Sequence, residues 1–260
     1  MNLKEQYNLD NSLQRKHQLR MLDILQEVDR LCNKYDITYW ISDGTLLGAV
    51  RHKGFIPWDD DLDIQMPYKD FKRFLKIASV ELPQDLIVQN HKTDNAYVAP
   101  YAKIRDLKSS IVENNSIDKN YKYRGIYIDI FPMSNCNSFL NKISAYLHYY
   151  LLYIPSHYKR NLFWAFWLNA MYVVLSFVYA IFRLIDYLLG IEDLNYIYGS
   201  NFNVTFPKKI IYPVDTIIFE GITFKAPHDS HGYLTQLYGD YMKLPPVNER
   251  ITHTEQVNFD

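Results

Sequence analysis

Four aspartates fall within five residues in Ile56-Pro57-Trp58-Asp59-Asp60-Asp61-Leu62-Asp63-Ile64. The stretch that follows alternates. If residues 61–66 are extended, Asp61, Asp63 and Gln65 face one way, and Leu62, Ile64 and Met66 face the other. Carboxylates two residues apart on a strand are separated by roughly 7 Å of backbone, so their side chains can converge on one divalent cation. Without a cation, repulsion drives one of the pair to keep its proton. A few hard oxygen ligands suit Mg²⁺ or Mn²⁺ held jointly with substrate phosphates. An exposed acidic turn is the plain alternative. The apolar alternation argues against it.

A second acid stands in similar company. In Gly125-Ile126-Tyr127-Ile128-Asp129-Ile130-Phe131, three isoleucines share one face and Asp129 sits on the other, between Tyr127 and Phe131. An aspartate in so apolar a strand is costly unless it is paired or metal-bound. Upstream, Asp43-Gly44-Thr45 opens a short apolar run. Free N–H groups at a helix start bind phosphate, and glycine at Gly44 lets a ligand approach. Arg51, His52 and Lys53 precede the acidic run, and Lys103 and Arg105 lie two apart on a later strand. These cations could hold phosphate. Surface charge pairing explains His52 equally well, and a solvated face explains Lys103 and Arg105 about as well.

These residues must be positioned by regular elements. Apolar residues spaced by three and four predict a helix over 13–35. Strands are predicted at 38–41, 62–66, 86–88, 97–104, 111–112 and 125–131, with Pro67 and Pro132 as terminators. Residues 46–50 read as a short helix capped by Asp43, 68–80 as a helix, 210–225 as a hairpin turning at Glu220-Gly221, and 228–241 as a helix. The class is α+β (mixed α/β), with a mixed sheet flanked by helices.

The charge balance of 28 basic against 29 acidic residues lacks the basic footprint of a general nucleic-acid binder, so no nucleic-acid partner is expected. Cys32 and Cys136 are too few for a disulfide framework and lack metal-ligand spacing, which points to a reduced cytoplasmic setting. The polar N-terminus has no apolar core of a secretory signal. Residues 161–182 carry no charged side chain, a length that meets the threshold for a membrane-spanning candidate. A single crossing would separate the aspartates from the later hairpin. Two helices, 139–154 and 162–188, could instead form an apolar hairpin on or in the bilayer, rich in interfacial aromatics, with Lys159-Arg160 meeting anionic headgroups. A buried or oligomer-forming helix pair is the alternative. The expected organisation is a catalytic domain over 1–137 and 191–260, with an inserted apolar helical hairpin at 138–190.

The unbroken stretch from Gly44 to Ile64, GTLLGAVRHKGFIPWDDDLDI, strongly resembles the signature of the LicD family, relatives of fukutin and the fukutin-related protein. Lys103-Ile104-Arg105-Asp106, Gly125 to Pro132 and Tyr238-Gly239-Asp240-Tyr241 resemble later family blocks. The resemblance implies a nucleotidyltransferase-like fold. It also implies transfer of a phospho-alcohol such as phosphocholine from a CDP-linked donor to a hydroxyl of a cell-surface glycan: lipopolysaccharide, capsule or teichoic acid. On that reading CMP leaves, Asp61, Asp63 and Asp129 are the catalytic and metal-binding acids, and Asp129 is a ligand or the base. Gly44, Thr45, Arg51, Lys53, Lys103 and Arg105 hold phosphate, and Asp59 and Asp60 support the loop. Mg²⁺ or Mn²⁺ is the expected cofactor. A glycan or lipid-linked glycan acceptor fits membrane surface contact at the inner face of the cell membrane. Trp40, Trp58 and Tyr127 are candidate faces for a quaternary ammonium, although core packing suits each of them singly. A nucleotidyltransferase that moves the nucleotide itself, and a catalytically silent glycan- or partner-binding relative, are the competing readings.

Overall fold

The computed structural model describes residues 3–114, 118–158, 162–250, 252 and 254–259. After a short helix α1 (Leu3–Tyr7), helix α2 (Leu13–Lys34) opens the domain. The Ser12 side chain caps it by accepting from Arg15 N. Its apolar stripe, Met21, Ile24, Leu25, Val28 and Leu31, is fully buried. A stripe of that spacing is stable only when packed against another layer.

That layer is a mixed sheet. Its path runs β1 (Trp40–Ile41), β2 (Asp63–Pro67), β6 (Tyr127–Asn135), β4 (Ala102–Asp106) and β3 (Leu86–Gln89). β2 and β6 are parallel, and the other pairings are antiparallel. Helix α3 (Asp43–His52) fills the β1–β2 connection, and α4 (Tyr68–Glu81) follows β2 directly. β5 (Ser109–Glu113) leaves the sheet and pairs with the late strand β10 (Thr254–Phe259), which local pattern did not predict.

Pro132 does not end its strand. β6 continues through it to Asn135, because β4 pairs only as far as Ile130 and β7 (Leu194–Tyr196) begins only at Met133. The proline thus sits in the gap between two partners on that edge, where a missing N–H breaks no ladder. The strand expected at 97–104 starts at Ala102, after the Tyr97–Tyr101 approach. The expected hairpin is present as β8 (Asp215–Phe219) and β9 (Ile222–Ala226), but residues 208–211 form a short helix, α8 (Lys208–Ile211), before it. Helix α9 (Ser230–Tyr238) then packs on α3.

The apolar segment is helical. α5 (Ser138–His148), a π-helical turn (Tyr149–Tyr153) and the single turn α6 (Ile154–Ser156) lead to α7 (Leu162–Leu188). Lys159 and Arg160 lie outside the described residues. β7 follows α7 and pairs with β6, so the chain before and after α7 builds one sheet. That pairing excludes a single membrane crossing by α7. A second apolar cluster, including Leu152, Leu168, Leu175, Tyr179 and Tyr198, joins these helices to the body.

Candidate active site

The Asp59–Asp63 loop is held from behind by α2. Gln14 and Gln18 both donate to the Asp59 carbonyl, at 2.6 and 2.8 Å. Helix α3 holds it from the side, where the Thr45 hydroxyl accepts from the Asp63 N–H at 2.8 Å. Asp63 then pairs in register with Asp129 on the parallel neighbour β6. Adjacent strands lie about 4.8 Å apart, so the two carboxylates stand side by side.

Asp43, Asp59, Asp61, Asp63 and Asp129 all line one cavity of about 450 Å³, with Gly44 at its edge. Burial pushes Asp59 and Asp63 well above the usual carboxylate range, and their acidic neighbours push them further. Burial raises Asp43 as well, against the bonds it accepts. Asp129 is also raised by burial, although the Lys103 ammonium beside it pulls the other way. Lys103 Nζ lies 2.9 Å from Asp129 Oδ1 and donates to Oδ2 at 3.0 Å. It also lies 3.3 Å from the Tyr127 ring centroid.

The predicted residues divide into two sets. Asp59, Asp61, Asp63, Asp129 and Gly44 come together at the cavity, and Lys103 grips Asp129. The others do not line the cavity, although Arg51 feels the charge of Asp59. Asp60 faces away and accepts from Thr254 N at 2.6 Å, tying down the C-terminal strand. Thr45 is buried, with its oxygen turned to Asp63 N. Arg51 donates to His52 Nε2 and to the Tyr241 carbonyl, locking α3 to the segment after α9. Lys53 is exposed at the far end of α3, a ten-residue helix that spans about 15 Å from Gly44. Arg105 is buried, donates to Gln89 Oε1 and the Gly125 carbonyl, and packs behind Tyr127. Residues spaced along a strand or a helix end can share a charge yet face different compartments, and spacing alone does not show which.

Two features escaped the sequence reading. Asp43 does not cap α3. Ser42 takes that position, and Asp43 starts the helix with φ of +47°, an unusual conformation outside glycine. Its carboxylate accepts from Tyr196 OH at 2.7 Å and Gln65 Nε2 at 3.3 Å, and Gln65 in turn accepts from Trp40 Nε1. Trp40 therefore belongs to the support of the site, not its lining. Trp58 packs against Tyr7, and Tyr127 lies beneath Lys103 with its hydroxyl on Glu113. The aromatic faces that do line the cavity are Tyr101, Phe131, Tyr196, Phe202 and Tyr238. The Asp43-Gly44 pair, Phe131 beside Asp129 and the Tyr238-Gly239 block had local signal. Tyr196 and Phe202 arrive through the return of the chain after α7.

Among the described residues no three acidic, histidine or cysteine side chains stand close enough together to hold a metal ion as they are. An open set of carboxylates of raised proton affinity is a donor set that suits a hard divalent cation completing its shell with water and phosphate. Asp61, Asp63 and Asp129 are residues that could hold such a cation.

Residues 36–174 match the family model described as LicD/FKTN/FKRP, nucleotidyltransferase domain. The chain is 30% identical to the lipopolysaccharide cholinephosphotransferase LicD of Haemophilus influenzae, covering 92% of this chain and 95% of that protein. It is 23% identical to the mouse ribitol 5-phosphate transferase FKRP, over 48% of this chain and 23% of that protein. It is 26% identical to mannosyltransferase regulator 4 of Saccharomyces cerevisiae, over 52% of this chain and 12% of that protein.

Proposed function

We propose, from the premise that this chain belongs to the LicD family, that it transfers a phospho-alcohol from a CDP-linked donor to a hydroxyl of a cell-surface glycan. The observation that supports this most directly is five aspartates on one cavity wall, with Asp63 and Asp129 in register on adjacent strands. Phosphocholine is the first-choice group, since a relative matched over 92% of the chain is named a cholinephosphotransferase. The aromatic rings of the lining offer the faces a quaternary ammonium needs.

Asp61 and Asp63 would hold Mg²⁺ or Mn²⁺, with Asp129 as a third ligand or as the base. The bound ion would neutralise charge on the donor's phosphoryl oxygens. The N–H groups at the start of α3, beside Gly44, would receive phosphate oxygens, as free helix-start donors do. The acceptor hydroxyl oxygen attacks the phosphorus that bears the alcohol, and the bond from that phosphorus to the bridging oxygen breaks. CMP leaves with the bridging oxygen, and the hydroxyl proton passes to a pocket carboxylate, a role Asp129 would take if it is not itself a metal ligand. Lys103 holds Asp129 in orientation. We place the protein at the cytoplasmic face of the cell membrane, with the apolar outer face of α7 against the lipid.

Calorimetry with CDP-choline, CDP-ethanolamine, CDP-ribitol and CDP-glycerol, each with and without Mg²⁺, tests the reading. Metal-dependent binding of one donor above the rest is expected. A folded protein that binds no donor and no CMP would sink it, and attachment of the nucleotide to the acceptor with release of the phospho-alcohol in place of CMP would favour nucleotidyl transfer.

A further inference from the structure

A second cavity, of about 670 Å³, lies between α4, the β3–β4 connection and α7. Its lining contains six cationic side chains and no aspartate or glutamate. Arg73 is paired with Asp70, but among the described residues no carboxylate lies within ion-pair distance of the other five. Three of these, Lys69, Lys72 and Lys76, recur at three- and four-residue spacing on one face of α4. Like charges at that spacing destabilise a helix. Lys92 comes from the β3–β4 connection and Arg183 from α7. Lys72 and Arg183 both stand over the Tyr68 ring, at 4.5 and 5.0 Å from its centroid. The cavity therefore gathers positive charge from three elements without supplying a counter-charge.

Its other wall is apolar. Leu152, Tyr172, Leu175 and Tyr179 face it, and the outer side of α7 continues as an exposed apolar surface, with Phe166 75% and Phe177 68% exposed. A contiguous exposed surface of this kind marks an interaction site. Cations around an apolar floor, open toward an apolar helix, match an amphiphile with an anionic head. A second copy of this chain would bring the same unpaired cations and would not neutralise them. Tyr101 lines both this cavity and the acidic one, so the two cavities share a wall at that side chain.

We propose that the α4–α7 cavity binds one membrane lipid with a phosphate-bearing head. The head sits among Lys69, Lys72, Lys76, Lys92 and Arg183, and the hydrocarbon runs along α7. That this lipid also carries the acceptor glycan rests on the transfer reading. The lipid site itself does not.

The test uses the full chain purified in a nonionic detergent and titrated with phosphatidylglycerol, phosphatidylcholine or inorganic phosphate. Adducts are counted by native mass spectrometry, so no nucleotide or transfer is involved. One phosphatidylglycerol per chain is expected, with zwitterionic phosphatidylcholine about tenfold weaker or more. Inorganic phosphate at equal concentration should not displace it. The combined Lys69→Gln, Lys72→Gln, Lys76→Gln variant should lose the adduct through charge. Ser176→Trp should lose it through bulk, because Ser176 is an exposed residue of the cavity lining. Each variant is first shown to melt like the parent, and each is decisive without the other. Retention of the adduct by a folded variant of either kind overturns the proposal. So does equal binding of the two lipids, a random spread of multiple adducts, tight binding of phosphate alone, or no adduct at all.

Discussion

Two glycines on α3 should respond in opposite ways to the same substitution. A Cβ placed on Gly44 would lie 3.1 Å from Asp59 Oδ2 and 3.9 Å from Asp61 Oδ1. Those are the ends of flexible side chains, which can yield by a few tenths of an ångström. Alanine favours a helix over glycine by up to about 1 kcal/mol. The two effects nearly cancel, so Gly44→Ala should melt within about 4 °C of the parent. A Cβ on Gly48 would instead lie 2.5 Å from the Gly54 carbonyl oxygen and 3.2 Å from Ile56 N. Both are backbone atoms of the turn that leads to the acidic loop, and neither can rotate away. Overpacking of that kind costs roughly 1–3 kcal/mol, a fall of several degrees in Tm. Function should reverse the order. The Gly44 methyl intrudes on the acidic cavity where a phosphate must approach, and small displacements of reacting groups can cost about 100-fold in rate. The assay is a thermal melt alongside CMP release with a cell-surface glycan extract as acceptor. Unchanged transfer in Gly44→Ala would refute the placement of phosphate at the start of α3. A stable Gly48→Ala would refute the packing argument.

Three further outcomes follow from the charge arrangement. Asp63→Asn should raise Tm in the presence of chelator, because Asp63 is crowded by Asp61, Asp43, Asp129 and Asp59, yet it should abolish Mg²⁺-dependent donor binding. A lower Tm together with intact metal dependence would count against the assignment. Lys103→Met leaves Asp129 buried without its cation and should cost about 3–5 kcal/mol in chelator, part of it regained on adding Mg²⁺; an unchanged melt would show that the pair does not hold the site. Burial lowers His17 from 6.5 to about 4, against the pull of Asp60. The folded state then resists a proton that the unfolded chain accepts. Stability is full above pH 6.5 and falls as pH drops from 6.5 toward 4, by up to about 3 kcal/mol. His17→Gln should flatten that limb of the Tm–pH curve, and an identical slope would exclude His17 as its cause.

Much of the site was legible because it is built from local pattern. The alternation after Asp61, the aspartate alone in an isoleucine strand and the glycine before a short apolar run each impose a face or an approach within a few residues. That is why Asp59, Asp61, Asp63, Asp129 and Gly44 could be chosen together, and why the mixed sheet with flanking helices was expected. The family resemblance rests on the same contiguous stretch.

The tertiary structure decided the rest. Backbone spacing does not say which compartment a cation enters. Lys53 lies a helix length from Gly44, Arg105 is sealed behind Tyr127, and Lys103 alone of that set reaches an aspartate of the cavity. Long-range return supplied Tyr196, Phe202 and Tyr238, and Tyr196 holds Asp43, which looks like a helix cap in isolation, at the cavity wall. The α4 lysines show the same division. Their spacing on one helix face is written in the chain. Only the packing of α7 across that face turns a solvated stripe into the wall of a cavity, since charge acquires direction when a low-dielectric surface is placed opposite it.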